Sequence, residues 1–238
     1  MQMFVGTSGY SYKEWKGSFY PEKISAGEML RFYAGRFRTV EINNTFYRMP
    51  DEAVLARWAE EVPGEFAFSL KAPQRISHQK RLREAEPDVA EFLRRASALG
   101  SKLGPVLFQL PPFLRKDVPR LQDFLALVPA DGRVAFEFRH ESWLDDAVYD
   151  ALRTHGTMLC IADKDQGETP LVATSSSGYV RLRRTQYDDA ELQAWVEQIA
   201  AQPWSRVYVY FKHEDAGLGA KFGLRFDQLW KAAQEQSR

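Results

Sequence analysis

The sequence predicts an α/β fold: a TIM-type (β/α)8 barrel, a single domain over residues 1–238 with its sixth helix short or missing. Three observations lead there. Eight short apolar or alternating runs recur along the whole chain at intervals of roughly 20 to 40 residues, the spacing of βα units. Helical periodicity fills most of the intervals, and strict alternation of strand and helix implies a parallel sheet covered by helices. No glycine-rich phosphate fingerprint follows the first run, because Gly6-Thr7-Ser8-Gly9 matches neither the dinucleotide nor the Walker pattern. Eight units then favour a closed barrel, with an open nucleotide-binding sheet as the second choice.

In chain order the predicted strands cover 3–7, 39–43, 66–71, 106–110, 134–139, 158–163, 179–183 and 207–212, and no proline interrupts them. The clearest helical stripe is Val89, Phe92, Leu93, Ala96 and Leu99, with Gly104-Pro105 as its stop. A second stripe, Leu192, Trp195, Val196 and Ile199, is entered through Asp188 with Glu191 three residues on, the spacing of a capping box with Asp in the hydroxyl role. Further helical segments run over 28–37, 51–62, 118–128, 145–155 and 220–230. The stretch 167–178 is rich in Gly, Thr and Ser and has no helical stripe, which makes the sixth helix the one in question.

With 45% hydrophobic and 27% charged residues the composition is that of a globular chain and excludes wholesale disorder. Lys plus Arg and Asp plus Glu each number 32, so no global basic excess points to a nucleic-acid or membrane-surface protein. Any electrostatic preference is local. The single cysteine, Cys160, has no internal disulfide partner and lies in an apolar run, as expected of a buried, inert thiol in a reducing compartment. No signal peptide or stretch of ~20 apolar residues is visible, so a soluble, cytoplasmic protein is expected.

Side chains alternate along a strand, so assigning one residue to the helix-facing side assigns its neighbours. If Val134, Phe136 and Phe138 pack on helices, then Ala135, Glu137 and Arg139 face the barrel interior. The same rule turns inward Ala67, Ser69 and Lys71; Glu41 and Asn43; Leu107 and Gln109; Arg181 and Arg183; and Tyr208, Tyr210 and Lys212. Asp163 ends the sixth run. Barrel interiors are normally filled by branched apolar side chains, and barrel active sites sit at the C-terminal ends of the strands, where these charges cluster. The bland alternative is a buried ion network of Glu41 and Glu137 with Lys71, Arg139 and Arg181 that merely closes the barrel. At the strand ends Glu41, Glu137 and Asp163 stand against Lys71, Arg139, Arg181, Arg183 and Lys212, a local cationic excess that calls for an anionic ligand. Arg183-Arg184-Thr185 and Gly217-Leu218-Gly219 lie in the two loops where barrels often hold phosphate.

Among the histidines, His155 precedes Gly156 at a helix end and complements the helix terminus. His78, His140 and His213 follow strands three, five and eight; His140, beside Arg139, Glu141 and Trp143, is the best acid-base candidate of the three. Glu41, Glu137, Asp163 and His140 are a conceivable metal set, opposed by five nearby cations, and no metal is predicted. Lys71 and Lys212 raise the alternative of a desolvated amine able to form a Schiff base, against the plainer reading that each neutralises a glutamate. Tyr10, Tyr12, Trp15, Phe19 and Tyr20 crowd the first loop, with Phe46, Tyr47 and Trp143 in later ones, either to stack on a ligand ring or to pack as a lid on the rim.

Several strings resemble a known family. Gly6-Thr7-Ser8-Gly9-Tyr10 with Trp15 and Phe19-Tyr20-Pro21, Val40-Glu41-Ile42-Asn43-Asn44-Thr45-Phe46-Tyr47 with Pro50, and Lys71-Ala72-Pro73 with His78 are similar to those of the YecE-like proteins, domain of unknown function seventy-two. Gly104-Pro105-Val106-Leu107-Phe108-Gln109-Leu110-Pro111-Pro112 and Glu137-Phe138-Arg139-His140 with Trp143 extend the resemblance over nearly the whole chain. It implies a TIM barrel, distantly similar to sugar-isomerase and endonuclease-IV barrels, and brings no established reaction. That group tends to carry His-Gly after strand seven and Asn-Asn after strand eight; here those places read Arg183-Arg184 and Lys212-His213.

The expectation is therefore an enzyme or ligand-binding protein for a small anionic substrate, phosphorylated, carboxylated or sugar-derived, at the C-terminal mouth. Glu41 or Glu137 would serve as base and Lys71 or His140 would polarise or protonate. Asn43, Gln109, Arg139, Trp143, Asp163, Arg181, Arg183 and Lys212 would bind. Alternatives are a metal-dependent isomerase or endonuclease-IV-like phosphodiesterase, with nucleic acid as a less favoured partner, and a non-catalytic binding or scaffold protein. No cofactor is predicted, and the oligomeric state is left open.

Overall fold

The structure, a computed structural model, describes residues 1–165, 167–212 and 217–236. Its strands are β1 (Gln2–Thr7), β2 (Thr39–Ile42), β3 (Ala67–Lys71), β4 (Leu103–Gln109), β5 (Val134–Glu137), β6 (Met158–Lys164), the two-residue β7 (Gly167–Glu168), β8 (Ser177–Leu182) and β9 (Arg206–Phe211). Eight of them are parallel neighbours in the order β1-β9-β8-β6-β5-β4-β3-β2, while β7 pairs antiparallel with β6. Helices α1 (Met29–Ala34), α2 (Glu52–Glu61), α3 (Glu86–Ala96), α4 (Val118–Leu125), α5 (Asp146–His155), α6 (Asp189–Ala200) and α7 (Leu218–Gln236) alternate with the strands. This is the TIM-type barrel that the alternation predicts, and among the described residues no helix lies between β6 and β8.

The last gap in the barrel is closed by a side chain. Between β1 and β2 there is only an isolated bridge, Ser8 to Glu41, with the Gly9 amide donating to the Glu41 carbonyl at 2.8 Å. Lower in the seam the Tyr33 hydroxyl, carried on α1, accepts from the Thr7 amide at 2.8 Å and donates to the Thr39 carbonyl at 3.0 Å. A phenol thus satisfies backbone groups that a ladder would otherwise pair. Gly6 is required here, because a Cβ on it would lie 2.1 Å from the Thr39 carbonyl oxygen.

Local signals set the helix ends. Asp188 accepts from the Glu191 amide at 2.8 Å and the Glu191 carboxylate accepts from the Asp188 amide at 2.9 Å, the expected capping box of α6. Asp117 and Asp145 cap α4 and α5, and α5 ends at Gly156 in the left-handed conformation, φ 73°. One stop differs from expectation. The helical stripe through Leu99 ends at Gly100, φ 54°, and Gly104-Pro105 already belongs to β4. Pro105 is accommodated because the β3–β4 register shifts between Phe68 and Leu70, so the amide it lacks is not needed there. Where the sixth helix would be, Thr174 steps in: its Oγ accepts from the Leu159 amide at 2.8 Å and donates to the Thr157 carbonyl at 2.7 Å.

Helix-facing residues such as Phe68, Phe108, Phe136 and Val180 join the main apolar core. A second cluster fills the barrel lumen: Phe4, Ala67, Leu107, Ala135, Met158, Cys160, Tyr179, Tyr208 and Tyr210. Each large apolar side chain buried this way contributes about 1.5–3 kcal/mol. The lumen is a packed plug, and the charged side chains of the inner face lie above it.

Candidate functional site

A fully buried ion network lies above the plug. Arg181, on β8 and 1% exposed, spans the lumen to Glu137 on β5 and Glu41 on β2, both 0% exposed. Its two terminal nitrogens divide between them, one to Glu137 Oε2 and the other to Glu41 Oε1 at 2.8 Å. Glu41 also accepts from Ser8 Oγ at 2.8 Å, Tyr179 Oη at 2.6 Å and Asn43 Nδ2 at 3.3 Å. Glu137 accepts from Gln109 Nε2 at 2.9 Å and Arg139 Nε at 3.2 Å. Burial pushes both carboxyls up, but for Glu41 the Arg181 charge and the Tyr179 and Ser8 bonds outweigh it. For Glu137, Arg181, Arg139, Arg183 and the Gln109 bond hold the group far below the usual carboxylate range. Two ionised, fully engaged carboxylates suit the role of counterion. A base working near neutrality needs its pKa raised toward 7, which this environment opposes.

One strand step further out, Lys71 and Arg183 are not engaged in this way. Lys71 ends β3 with its Nζ 4.0 Å above the Phe46 ring, and among the described residues that ammonium has no hydrogen-bond acceptor. Burial, together with the Arg181 charge, pushes its pKa down to about 8. Arg183, one step beyond Arg181, is half-buried; among the described residues its side chain has no hydrogen bond or ion pair, and burial followed by Arg181 lowers its pKa. Arg139 is the most exposed of the three, tied by Nε to Glu137. His78 packs edge-on against the same Phe46 ring, centroids 4.9 Å apart, with Nδ1 sharing a hydrogen bond of 2.9 Å with Ser77 Oγ. Its pKa is lowered by burial and by the Lys71 and Arg139 charges. Four cations, Lys71, Arg139, Arg181 and Arg183, thus face two carboxylates, Glu41 and Glu137, at the mouth.

The structure brings Glu41, Asn43, Lys71, Gln109, Glu137, Arg139, Arg181 and Arg183 together, and separates others assigned with them. Asp163 shares the outward parity of Leu159 and Ile161 and points away from the lumen. It accepts from Tyr187 Oη at 2.9 Å and Trp195 Nε1 at 3.2 Å, anchoring α6. Trp143, fully buried, stacks on Phe138 at 4.8 Å and donates Nε1 to the Leu114 carbonyl at 2.6 Å, so it supports the rim from behind and offers no face to a ligand. His140 accepts through Nδ1 from the Ser142 amide at 3.1 Å and caps a short turn, which commits that nitrogen to structure. Lys212 follows β9, its amide donating to the Leu182 carbonyl at 3.0 Å, and its charge acts on Asp165. His213 lies outside the described residues.

The two expected phosphate loops resolve differently. Arg184 pairs with Glu191, and Thr185 donates to Asp165 from both its amide and its hydroxyl, at 3.0 and 2.9 Å, which leaves Arg183 alone for the mouth. Gly217 packs on the first loop, where a Cβ would meet Ser18 Oγ at 3.0 Å and Trp15 at 3.6 Å. That first loop is itself a packed rim: Trp15 and Tyr20 are buried and Phe19 meets both edge-on. Three participants were not singled out from sequence as network members: Tyr179, Ser8 and Phe46. Tyr179 shares parity with Arg181, so the alternation already contained it; Ser8 and Phe46 lie beyond strand ends, where alternation no longer applies. Among the described residues no three His, Cys, Asp or Glu converge as a metal set. Arg181 lies between Glu41 and Glu137, and Asp163 faces outward.

Comparison with known proteins adds the family to this geometry. The profile described as "Protein of unknown function DUF72" matches residues 4–238. The UPF0759 protein YecE of Escherichia coli K12 is 27% identical over 228 residues, covering 83% of this chain and 81% of its own. The UPF0759 protein YunF of Bacillus subtilis is 23% identical, covering 91% and 80%. A DUF72 family protein of Thermotoga maritima, solved by crystallography, superposes with a TM-score of 0.87 at 27% identity, over 97% of this chain and 100% of that one. With its profile matched over nearly its whole length and its barrel shared, the chain belongs to the DUF72 family of proteins of unknown function.

Proposed function

We propose that this protein binds a small anion, a phosphorylated, carboxylated or sugar-derived compound, at the C-terminal mouth of its barrel, as an enzyme or a ligand-binding protein. The observation that carries this reading is the state of Arg183 and Lys71. Both are substantially buried, and among the described residues neither has a carboxylate within bonding distance, because Arg181 already occupies Glu41 and Glu137. A desolvated cation without a counterion is costly, and an anionic ligand would supply one. Arg183 and Arg139 present guanidinium forks suited to carboxylate or phosphate oxygens, and Asn43 adds an amide beside Glu41. A cytoplasmic setting belongs to the same proposal, supported by a lone thiol, Cys160, buried in the lumen; cell fractionation tests it.

Titration calorimetry with inorganic phosphate and with small carboxylates tests the anion site. Arg183→Met should weaken binding about tenfold, the worth of a charge-assisted hydrogen bond. Absence of binding by any small anion, or affinity unchanged in both Arg183→Met and Lys71→Met, overturns the reading.

A further inference from the structure

We propose that Lys71 is a covalent amine centre, forming an imine with a small carbonyl compound that carries a carboxylate or phosphate group. The choice of substrate class rests on the anion-binding reading above; the amine chemistry rests on the placement of Lys71 itself.

Three other lysines of this chain are held by oxygen acceptors: Lys16 by the Ile24 carbonyl at 2.6 Å, Lys116 by Asp145 at 2.7 Å, Lys80 by Asp88 at 2.7 Å. Lys71 is held differently, over the face of Phe46, although two glutamates project from the same barrel wall. Those glutamates are not available to it. Arg181 shares one oxygen of Glu41 with Ser8 and one of Glu137 with Gln109, while Tyr179 and Arg139 bond the other two. The buried network therefore does two things for Lys71: it ties both glutamates to other donors, so that they act on the ammonium by charge alone, and it places a guanidinium nearby. Desolvation and like charge both favour the neutral amine, the form that attacks a carbonyl. With its pKa near 8, roughly a tenth of Lys71 is neutral at pH 7.

The groups around it divide the remaining tasks. Arg183 and Arg139 would hold the anionic group of the substrate and so deliver its carbonyl to the inner rim. His78, on the edge of the same Phe46 ring, is the titratable side chain placed to relay protons; burial and the adjacent cations keep it neutral, and Ser77 orients it. In the reaction the Lys71 nitrogen forms a bond to the carbonyl carbon and the C–O π pair moves to oxygen. That oxygen takes one proton to give a carbinolamine. It then takes a second and leaves as water while the nitrogen lone pair closes the C=N bond. Both protons come from the amine, one water is released, and no oxidant or reductant enters.

Trapping tests this on the full chain. Incubation with pyruvate or with glyceraldehyde 3-phosphate, reduction by cyanoborohydride and peptide mass mapping should place a single irreversible adduct on Lys71. Lys71→Arg should abolish the adduct, and Arg183→Met should lower its yield about tenfold at subsaturating substrate. If the chain binds phosphate but gives no adduct, or if exposed Lys23 and Lys221 are labelled as fast as Lys71, the imine inference is wrong and the anion reading stands. If Lys71 is labelled selectively but the yield is unmoved by excess phosphate and by Arg183→Met, the amine centre stands and the anion reading is overturned. The wild-type map decides the first question even if a variant fails to fold.

Discussion

Two layers of the barrel interior, one strand step apart, treat charge in opposite ways. In the inner layer Arg181, Glu41 and Glu137 are fully buried and paired through the two terminal guanidinium nitrogens, with Ser8, Tyr179, Asn43, Gln109 and Arg139 also bonding the carboxylates. In the outer layer Lys71 and Arg183 are half-buried, and among the described residues they bond to no carboxylate. The inner layer is what allows the outer one to exist. By consuming both glutamates it leaves the mouth cationic in a chain whose formal net charge is zero. A buried network can therefore matter to a site without touching a ligand: it sets the charge that the ligand meets.

Breaking the inner layer should have the largest effect. Arg181→Met strands two buried carboxylates and should cost about 3–5 kcal/mol in urea unfolding, the penalty for an uncompensated buried charge. A loss under about 1 kcal/mol would show the network to be far more hydrated than its burial implies. Acid should act on the same layer. Glu41 and Glu137 are depressed in the folded state, so their contribution is complete above the ordinary carboxylate pKa near 4.5 and is lost as pH falls through the lower folded values. In Arg181→Met that acid sensitivity should shrink, as read from the unfolding midpoint between pH 5 and pH 3.

Asp163 offers a control outside both layers. Asp163→Ala removes the acceptor for Tyr187 and Trp195 and should cost about 2 kcal/mol while phosphate affinity stays within about twofold. A large drop in affinity would return Asp163 to the mouth. The smallest effect is expected in the outer layer. Lys71→Met relieves a desolvated ammonium and should raise stability by about 1 kcal/mol, allowing for its partial exposure. Because the folded pKa of Lys71, about 8, lies below its ordinary 10.5, the unfolded chain binds more protons between those values, so stability rises with pH across that window. The variant should lose that rise, and an unchanged alkaline profile would place the lysine in water.

The barrel was legible because its signals are local and repeated: eight apolar runs, helical stripes between them, and a capping box at Asp188 and Glu191 that forms as spaced. Where two faces differ, alternation also placed the inner residues, from Glu41 through Lys71 and Glu137 to Arg183. It failed where the faces do not differ. Met158-Leu159-Cys160-Ile161-Ala162 is apolar on both sides, so the sequence offers no parity, and Asp163, expected at the mouth, faces α6. Trp143 lies past the end of β5, where the period of two no longer holds and tertiary packing against Phe138 decides its position.

Which residues face inward is a property of each strand alone, set by backbone geometry and readable one run at a time. Which of them pair is a property of closure. Glu41, Glu137 and Arg181 lie on β2, β5 and β8, and they meet because the sheet curls until strands remote in sequence face one another across the lumen. Nothing local distinguishes Arg181, bound on both sides, from Arg183 two residues later. Depth below the rim separates them: one strand step carries a guanidinium from the reach of both glutamates to a half-buried place in the mouth, and that step is taken in three dimensions.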